Sequence, residues 1–371
     1  MSRVVVVGAG VVGLAIASEL SEVEKEVYVF EKNFKYGMET SSRNSGVVHA
    51  GIYYPKDSLK SKLCIQGNRL LYDFCIKHNV RYKKLGKLII ATDDKEVNDL
   101  KKLYKNGKEC GVSGLEILEK EDFKKLEPFI DGEKALFSPS SGIVDQSNLL
   151  YALYAKAKNN GALCVFRTEV EGVKPLKNGG YEINGVSAGE KFSLETDFVI
   201  NSAGLYSDRI AASCGINLEK AGYRLNFCKG DYFRIVGNAP VKRLVYPVPP
   251  KDEKDLGVHL TPDIYGNVRL GPNAYFTKKI DYNIESKAED FKTAVKRFFP
   301  LIKKYEIEED FSGIRPQLKG SGFKDFVIKH EADNGFFGLI NLIGIDSPGL
   351  TACIAIGKYV KEIYEKEIRR S

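Results

Sequence analysis

The feature that most constrains this chain is Gly8-Ala9-Gly10-Val11-Val12-Gly13, set between a β-branched run and an apolar, helix-like stretch. Val4 to Val7 reads as a strand buried on both faces of a parallel sheet. Leu14, Ala15, Ala17, Ser18 and Leu20 suit a helix packed closely on that sheet, and Val27 to Phe30 a second strand that ends at Glu31. In such a βαβ unit Gly8 permits the tight turn, Gly10 lets backbone N–H groups approach a pyrophosphate, and Gly13 allows close helix–strand packing. The helix N-terminus adds partial positive charge for phosphates, and Glu31 is placed to bind ribose hydroxyls. Context, not the glycine spacing alone, makes this a dinucleotide site.

The remaining chain alternates helix-like and strand-like stretches. Helices are expected at 59–78, 148–159, 286–298 and 350–367, with two Lys/Glu-rich amphipathic helices inside 86–138. Strands are expected at 87–91, from about 163 to 200, through 222–280 (broken by Pro247, Pro249 and Pro250), and at 326–329 and 336–340. Parallel-sheet elements at both ends and in the middle predict an α/β fold. Its discontinuous Rossmann-like nucleotide domain takes 1–85, 140–221 and 310–371, and a smaller α+β substrate domain with an antiparallel sheet takes 86–139 and 222–309.

Composition removes several function classes. Hydrophobic residues are 43% and charged residues 28%, which excludes a disordered or collagen-like chain. The formal charge of +7 is spread along the sequence, which suits an acidic substrate and gives no case for nucleic acid. No run is long and apolar enough for a spanning helix. The seven cysteines are odd in number and none is spaced as CxxC, so neither a disulfide framework nor a metal site is signalled. Buried thiols in a reducing, cytoplasmic setting are expected. The Lys/Arg-bearing final helix, Lys358 to Arg370, is a candidate for peripheral contact with an anionic membrane, against a plain solvated face.

Two further segments concern the ligand. Thr40 to His49 is rich in hydroxyl, amide and small residues, Ser42, Arg43, Asn44 and Ser45 among them, and suits backbone approach to a large ligand. Near the C-terminus, Asn341 to Thr351 precedes an apolar helix, where exposed N–H groups of Gly349, Leu350 and Thr351 are positioned to stabilise charge on a reduced flavin near N1 and O2.

With GAGVVG, SSRNSGVVHAGIYY, FVINSAG at 198–204, LGVHLT, GIRP at 313–316 and GIDSPGLTA, the chain resembles the FAD-dependent oxidoreductases of the D-amino-acid-oxidase class, and within it the L-2-hydroxyglutarate dehydrogenases and oxidases. The resemblance covers nearly the whole chain in order. It implies FAD as cofactor, held by Gly8, Gly10, Val12, Gly13, Glu31, Lys32, Ser42, Arg43, Asn44, Ser45, Val170, Ala203, Gly204, Ser347, Gly349, Leu350 and Thr351. It also implies a small 2-hydroxy dicarboxylate substrate, with quinone, oxygen or a protein left open as electron acceptor. Relatives that oxidise glycerol 3-phosphate carry an Arg where Tyr53 stands here, which disfavours a phosphate substrate.

Oxidising a 2-hydroxy acid needs a group that takes the hydroxyl proton. Of the four histidines, His49 and His259 are the candidates, while His78 and His330 read as surface residues. The sequence does not divide base and binding roles between His49 and His259. Arg315, before Pro316, sits in a non-helical position; its fork suits a carboxylate, and the resemblance places an Arg here over the substrate. Tyr53, Tyr54, Lys60 and Gln66 are further substrate-side candidates. The rival readings are glycerol-3-phosphate or amino-acid oxidation on the same scaffold, and a flavin subunit that only relays electrons.

Overall fold

The alternation of side chains along Val4–Val7 decides the layering of the first half. In the computed structural model, which describes residues 2–249 and 256–368, the strand Arg3–Val7 lies inside a six-stranded sheet. The order is Val327–His330, Leu339–Ile343, Phe198–Asn201, Arg3–Val7, Glu26–Glu31, Leu163–Phe166. All neighbours pair parallel except Val327–His330, which runs antiparallel to Leu339–Ile343. Val5, Val7, Val199, Leu339 and Ile343 face a cluster with Ile210 and Ala211 from a short helix and Val173, Tyr181 and Ile183 from a three-stranded antiparallel sheet. Val4 and Val6 are also fully buried. The helices Val11–Leu20, Gln146–Asn159 and Gly349–Ile368 pack together, as a strand with two buried faces requires.

Close approach in this layer depends on glycine. A Cβ on Gly13 would lie 2.0 Å from the Gly8 carbonyl oxygen, and one on Gly357 would lie 2.9 Å from that of Ala15.

Contact density divides the chain into two units: 1–42, 146–227 and 315–371, and 43–145 and 228–314. The second is built on a nine-stranded sheet. The order is Tyr275–Thr277, Leu225–Ile235, Val268–Leu270, Leu260–Pro262, Leu244–Pro247, Lys87–Ala91, Lys134–Ser138, Glu116–Glu119, with Ile307–Leu318 also on Leu225–Ile235. Leu88, Ile90, Val245 and Leu260 point to one face, where Phe291 and Val295 of the helix Ala288–Lys296 cover them. Ile89, Ala91, Leu244 and Tyr246 point to the other, against Val47, Ala50, Ile52 and Leu100.

The structure therefore places 43–85, 140–145 and 310–314 in the second unit and 222–227 in the first, where the sequence predicted the reverse. For 43–85 the reason is packing: Ala50, Ile52, Tyr53 and Ile65 share one cluster with Ile89 and Tyr246. The strand expected at 336–340 is Leu339–Ile343, because the turn at Ala332–Asn334 and the left-handed Gly335 and Gly338 occupy the preceding residues. Pro250 and the expected helix end at Arg370 lie outside the described residues. Among those described, no helix is long and apolar enough to cross a membrane.

Gly13→Ala is expected to lower stability by about 3 kcal/mol through overpacking against backbone. Gly161→Ala meets nothing within 4 Å and carries only the strain of φ +101°, about 1–2 kcal/mol. Thermal melts of the two variants side by side check this ordering.

Candidate active site

In the first unit the glycine turn is built as its spacing predicts. Gly8 adopts φ +99°, and its N–H donates to the Phe30 carbonyl at 2.8 Å. The buried Glu31 carboxylate accepts from Ala9 N–H through Oε2 at 2.9 Å and from the Asn33 N–H and Nδ2 through Oε1, both at 2.9 Å. The Val11 N–H donates to Ser41 Oγ at 3.0 Å. The next two amides, of Val12 and Gly13, have no partner among the described residues. Unclaimed donors at a helix start, beside a carboxylate and a side-chain-free Gly10, fit the pyrophosphate and ribose of a dinucleotide.

Other expected cofactor residues are partly engaged already. The Lys32 ammonium pairs with Glu39 at 2.7 Å and lies 3.9 Å over the Tyr206 ring. Burial lowers its pKa, but hydrogen bonds to Glu39 and Tyr206 outweigh this and raise it. Ser42 Oγ donates to the Glu39 carbonyl at 3.2 Å. Val170 pairs with Gly185 on the strand Thr168–Pro175. Ala203 N–H lies 3.4 Å from Asn201 Oδ1, and Gly204 is left-handed with open space where a Cβ would stand. Ser347 is exposed just before the helix Gly349–Ile368, while Thr351 is fully buried. One expectation is corrected there. The Gly349 N–H turns back to the Asp346 carbonyl at 2.6 Å, which removes that amide from the three expected to face a flavin.

In the second unit, Arg43 stacks its guanidinium 3.9 Å over Tyr282, Asn44 Oδ1 accepts from the Gly46 N–H at 2.9 Å, and Ser45 Oγ sits 3.0 Å from Tyr232 OH.

Strand register then assembles a polar row on the face that also carries Ile89. Lys87 is in register with Leu244, so it shares a face with Leu244 and Tyr246. On the other side of Tyr246, pairing of Val245 with Leu260 puts His259 directly across. The Tyr246 ring thus has the Lys87 ammonium 3.8 Å from its centroid on one side and the His259 ring stacked at 3.8 Å and 15° on the other. His259 is buried, with Nδ1 3.0 Å from Thr261 Oγ1.

Lys87 is 1% exposed. Burial pushes its pKa down to about 7, a shift that the Cys64 thiol opposes. His49 is held well below the usual imidazole value, first by desolvation and then by the Lys87 charge, so its ring is neutral at pH 7. Its carbonyl accepts from Asn68 Nδ2 at 2.9 Å. Tyr53 lies with its ring centroid 5.4 Å from the Lys87 ammonium, and its hydroxyl is buried without a partner among the described residues.

The structure thus brings His49, His259 and Tyr53 together around Lys87. Lys60 is buried and Tyr54 half-buried nearby in the chain. Gln66 is exposed on the helix Leu59–Lys77 and leaves the substrate set. Arg315 is half-buried on the strand Ile307–Leu318, in the other unit. His330 is no surface residue: its Nε2 accepts the Gly338 N–H at 3.0 Å and its Nδ1 lies 3.6 Å from Glu367. His78 is half-buried, its ring centroid 4.2 Å from that of Phe74 and tilted by 31°. Sequence reasoning missed Lys87 and Tyr246; the available signal was a lysine in phase with Ile89 and Ala91.

Between pH 7 and about 10 an unfolded lysine holds a proton that folded Lys87 lacks, so stability should rise with pH across that window. Below pH 7 the buried charge costs roughly 3–5 kcal/mol. Lys87→Met is expected to raise Tm at pH 6, with the gain shrinking towards pH 10. A gain independent of pH would contradict the assignment.

The model of the FAD dependent oxidoreductase family, DAO, matches residues 3–363. A protein of Arabidopsis thaliana named L-2-hydroxyglutarate dehydrogenase, mitochondrial, is 37% identical over 401 residues, covering 96% of this chain and 82% of that protein. One of Caloramator mitchellensis named glycerol 3-phosphate dehydrogenase is 34% identical over 370 residues, covering 98% and 74%. Among solved structures, the dithionite-reduced L-alpha-glycerophosphate oxidase of Mycoplasma pneumoniae with FAD bound superimposes with a TM-score of 0.84 at 27% identity, covering 96% of this chain and 93% of that one.

Proposed function

The chain belongs to the FAD dependent oxidoreductase family with FAD as its cofactor, and on that footing we propose that it oxidises the 2-hydroxyl of (S)-2-hydroxyglutarate to 2-oxoglutarate. What carries this reading is the row of Lys87, Tyr246 and His259 on one face of the second unit with Tyr53 beside it, and His49, whose pKa is lowered by burial and then by the Lys87 charge. Relatives named for that substrate support it.

Bound FAD supplies the acceptor for the α-hydrogen and its two electrons. His49 takes the hydroxyl proton on an imidazole nitrogen. Desolvation keeps this ring unprotonated at neutral pH, and the Lys87 charge makes a second positive charge beside it unfavourable. His259 is held by Thr261 and the Tyr246 ring, which suits a group that orients substrate. Arg315 offers a planar fork to the α-carboxylate, fixing the α-hydrogen in one direction.

The rival substrate, glycerol 3-phosphate, is named in two of the relatives. Tyr53 gives a phosphate a phenol in place of a guanidinium, which weakens that reading. Seven free cysteines suit a reducing, cytoplasmic location, and the basic final helix a peripheral contact with an anionic membrane. Admitting quinone, oxygen or a carrier protein to the reduced enzyme identifies the acceptor.

Without oxygen, flavin absorbance should bleach with (S)-2-hydroxyglutarate and not with its enantiomer, glycerol 3-phosphate or amino acids. Bleaching by glycerol 3-phosphate alone would overturn the substrate, and bleaching by none would leave an electron-relay subunit. His49→Asn should keep its FAD and lose about 10²- to 10⁴-fold in kcat/KM. Arg315→Met should lose about 2–5 kcal/mol of transition-state binding; turnover within threefold of the parent would contradict its role.

A further inference from the structure

Of the buried lysines in the second unit, Lys87 and Lys229 are the two most deeply enclosed, and they are treated differently. Lys229 is fully buried and held by Asp281 at 2.9 Å and Glu285 at 3.0 Å. Lys87 is buried as deeply, yet no carboxylate or other acceptor among the described residues bonds it. Its neighbours are aromatic: the Tyr246 ring at 3.8 Å and the Tyr53 ring at 5.4 Å. A π-face holds an ammonium in place without neutralising it. The charge therefore remains available to an anion, and a buried ion without one is unfavourable. The Tyr53 hydroxyl, also buried and without a partner among the described residues, is a second donor beside it.

From this juxtaposition we infer that Lys87, with Tyr53, binds the distal carboxylate of the substrate and sets the preference for 2-hydroxy dicarboxylates over monocarboxylates. The identity of the anion rests on the function proposed above. The distal carboxylate needs charge without a fixed plane, which suits an ammonium.

Binding requires the ammonium form, and the groups facing Lys87 define its titration. They are His49 from the loop before the helix Leu59–Lys77, Cys64 from that helix, and Tyr53 and Tyr246, with the uncharged Ser138 in register on the adjacent strand. Of these, His49 is neutral, and burial keeps Cys64 and both tyrosines protonated. Carboxylate affinity should therefore fall as pH rises through about 7.

Glutarate, which has both carboxylates and no hydroxyl to oxidise, is titrated into the FAD-loaded enzyme by calorimetry at pH 7.5 in two buffers of different ionisation enthalpy. The parent should take up a fraction of a proton as glutarate binds. Lys87→Met should retain FAD, bind glutarate roughly 30-fold or more weakly, and take up no proton. Its kcat/KM should fall for (S)-2-hydroxyglutarate but far less for (S)-2-hydroxybutyrate. Glutarate binding to the parent without proton uptake would overturn the inference, and that result needs no variant. So would glutarate affinity in Lys87→Met within threefold of the parent, or equal losses on both hydroxy acids. If no hydroxy acid is oxidised but glutarate binding still depends on Lys87, the anion site stands and the substrate reading falls. If (S)-2-hydroxyglutarate is oxidised and glutarate is indifferent to Lys87, the reverse holds.

Discussion

Lys87 puts a charge where the alternation of a strand otherwise places Ile89 and Ala91, and its surroundings follow from that. A fully buried ammonium must be paired, deprotonated or held by polarisable groups. Here the Tyr246 ring holds it, with the His259 ring on the opposite side. The same charge helps burial keep His49 unprotonated, so one cation without a carboxylate partner among the described residues underlies the proposed anion site and biases the state of the proposed base. The order of the strands Lys87–Ala91, Leu244–Pro247 and Leu260–Pro262 makes the row possible, because it brings residues far apart in sequence onto one face.

The cofactor cradle follows from a different constraint, the distance between backbones. Gly13 lets the first helix settle onto the Gly8 carbonyl, and the Val12 and Gly13 amides at its start have no partner among the described residues. The Glu31 carboxylate is tied to the Ala9 N–H, so the acidic group and the turn are positioned as one piece. The proposed base and anion site in the second unit and the candidate cofactor turn in the first thus rest on separate devices, one electrostatic and one steric.

Legibility in the sequence tracked how local each cause was. The first strand, its glycines, the helix over 59–77 and the final helix were readable, because β-branched runs, 3.6-residue periodicity and turn chemistry act over a few residues. The strand at Leu339–Ile343 was misplaced by a turn held through the Glu331 carbonyl, which accepts from Phe336. His330 looked exposed beside charged neighbours, yet it caps the Gly338 amide across that turn. In Lys87-Leu-Ile-Ile-Ala91 every residue is buried, so the run resembled an apolar strand with a solvated lysine at its edge. Only the pairing of Lys87 with Leu244, more than 150 residues away in sequence, shows that the lysine points inward. His49 and His259 could be chosen by chemistry alone, but their common neighbour could not.

The most direct test is the titration of Lys87 itself. Protein labelled with ¹³C at lysine Cε is titrated from pH 5 to 11, with Lys87→Met used to assign the resonance. One lysine should titrate near 7, and saturating glutarate should move its midpoint upwards by at least one unit. If the Lys87 resonance titrates near 10.4 like an ordinary lysine, or does not respond to glutarate, the buried cation is not the organising element of this site.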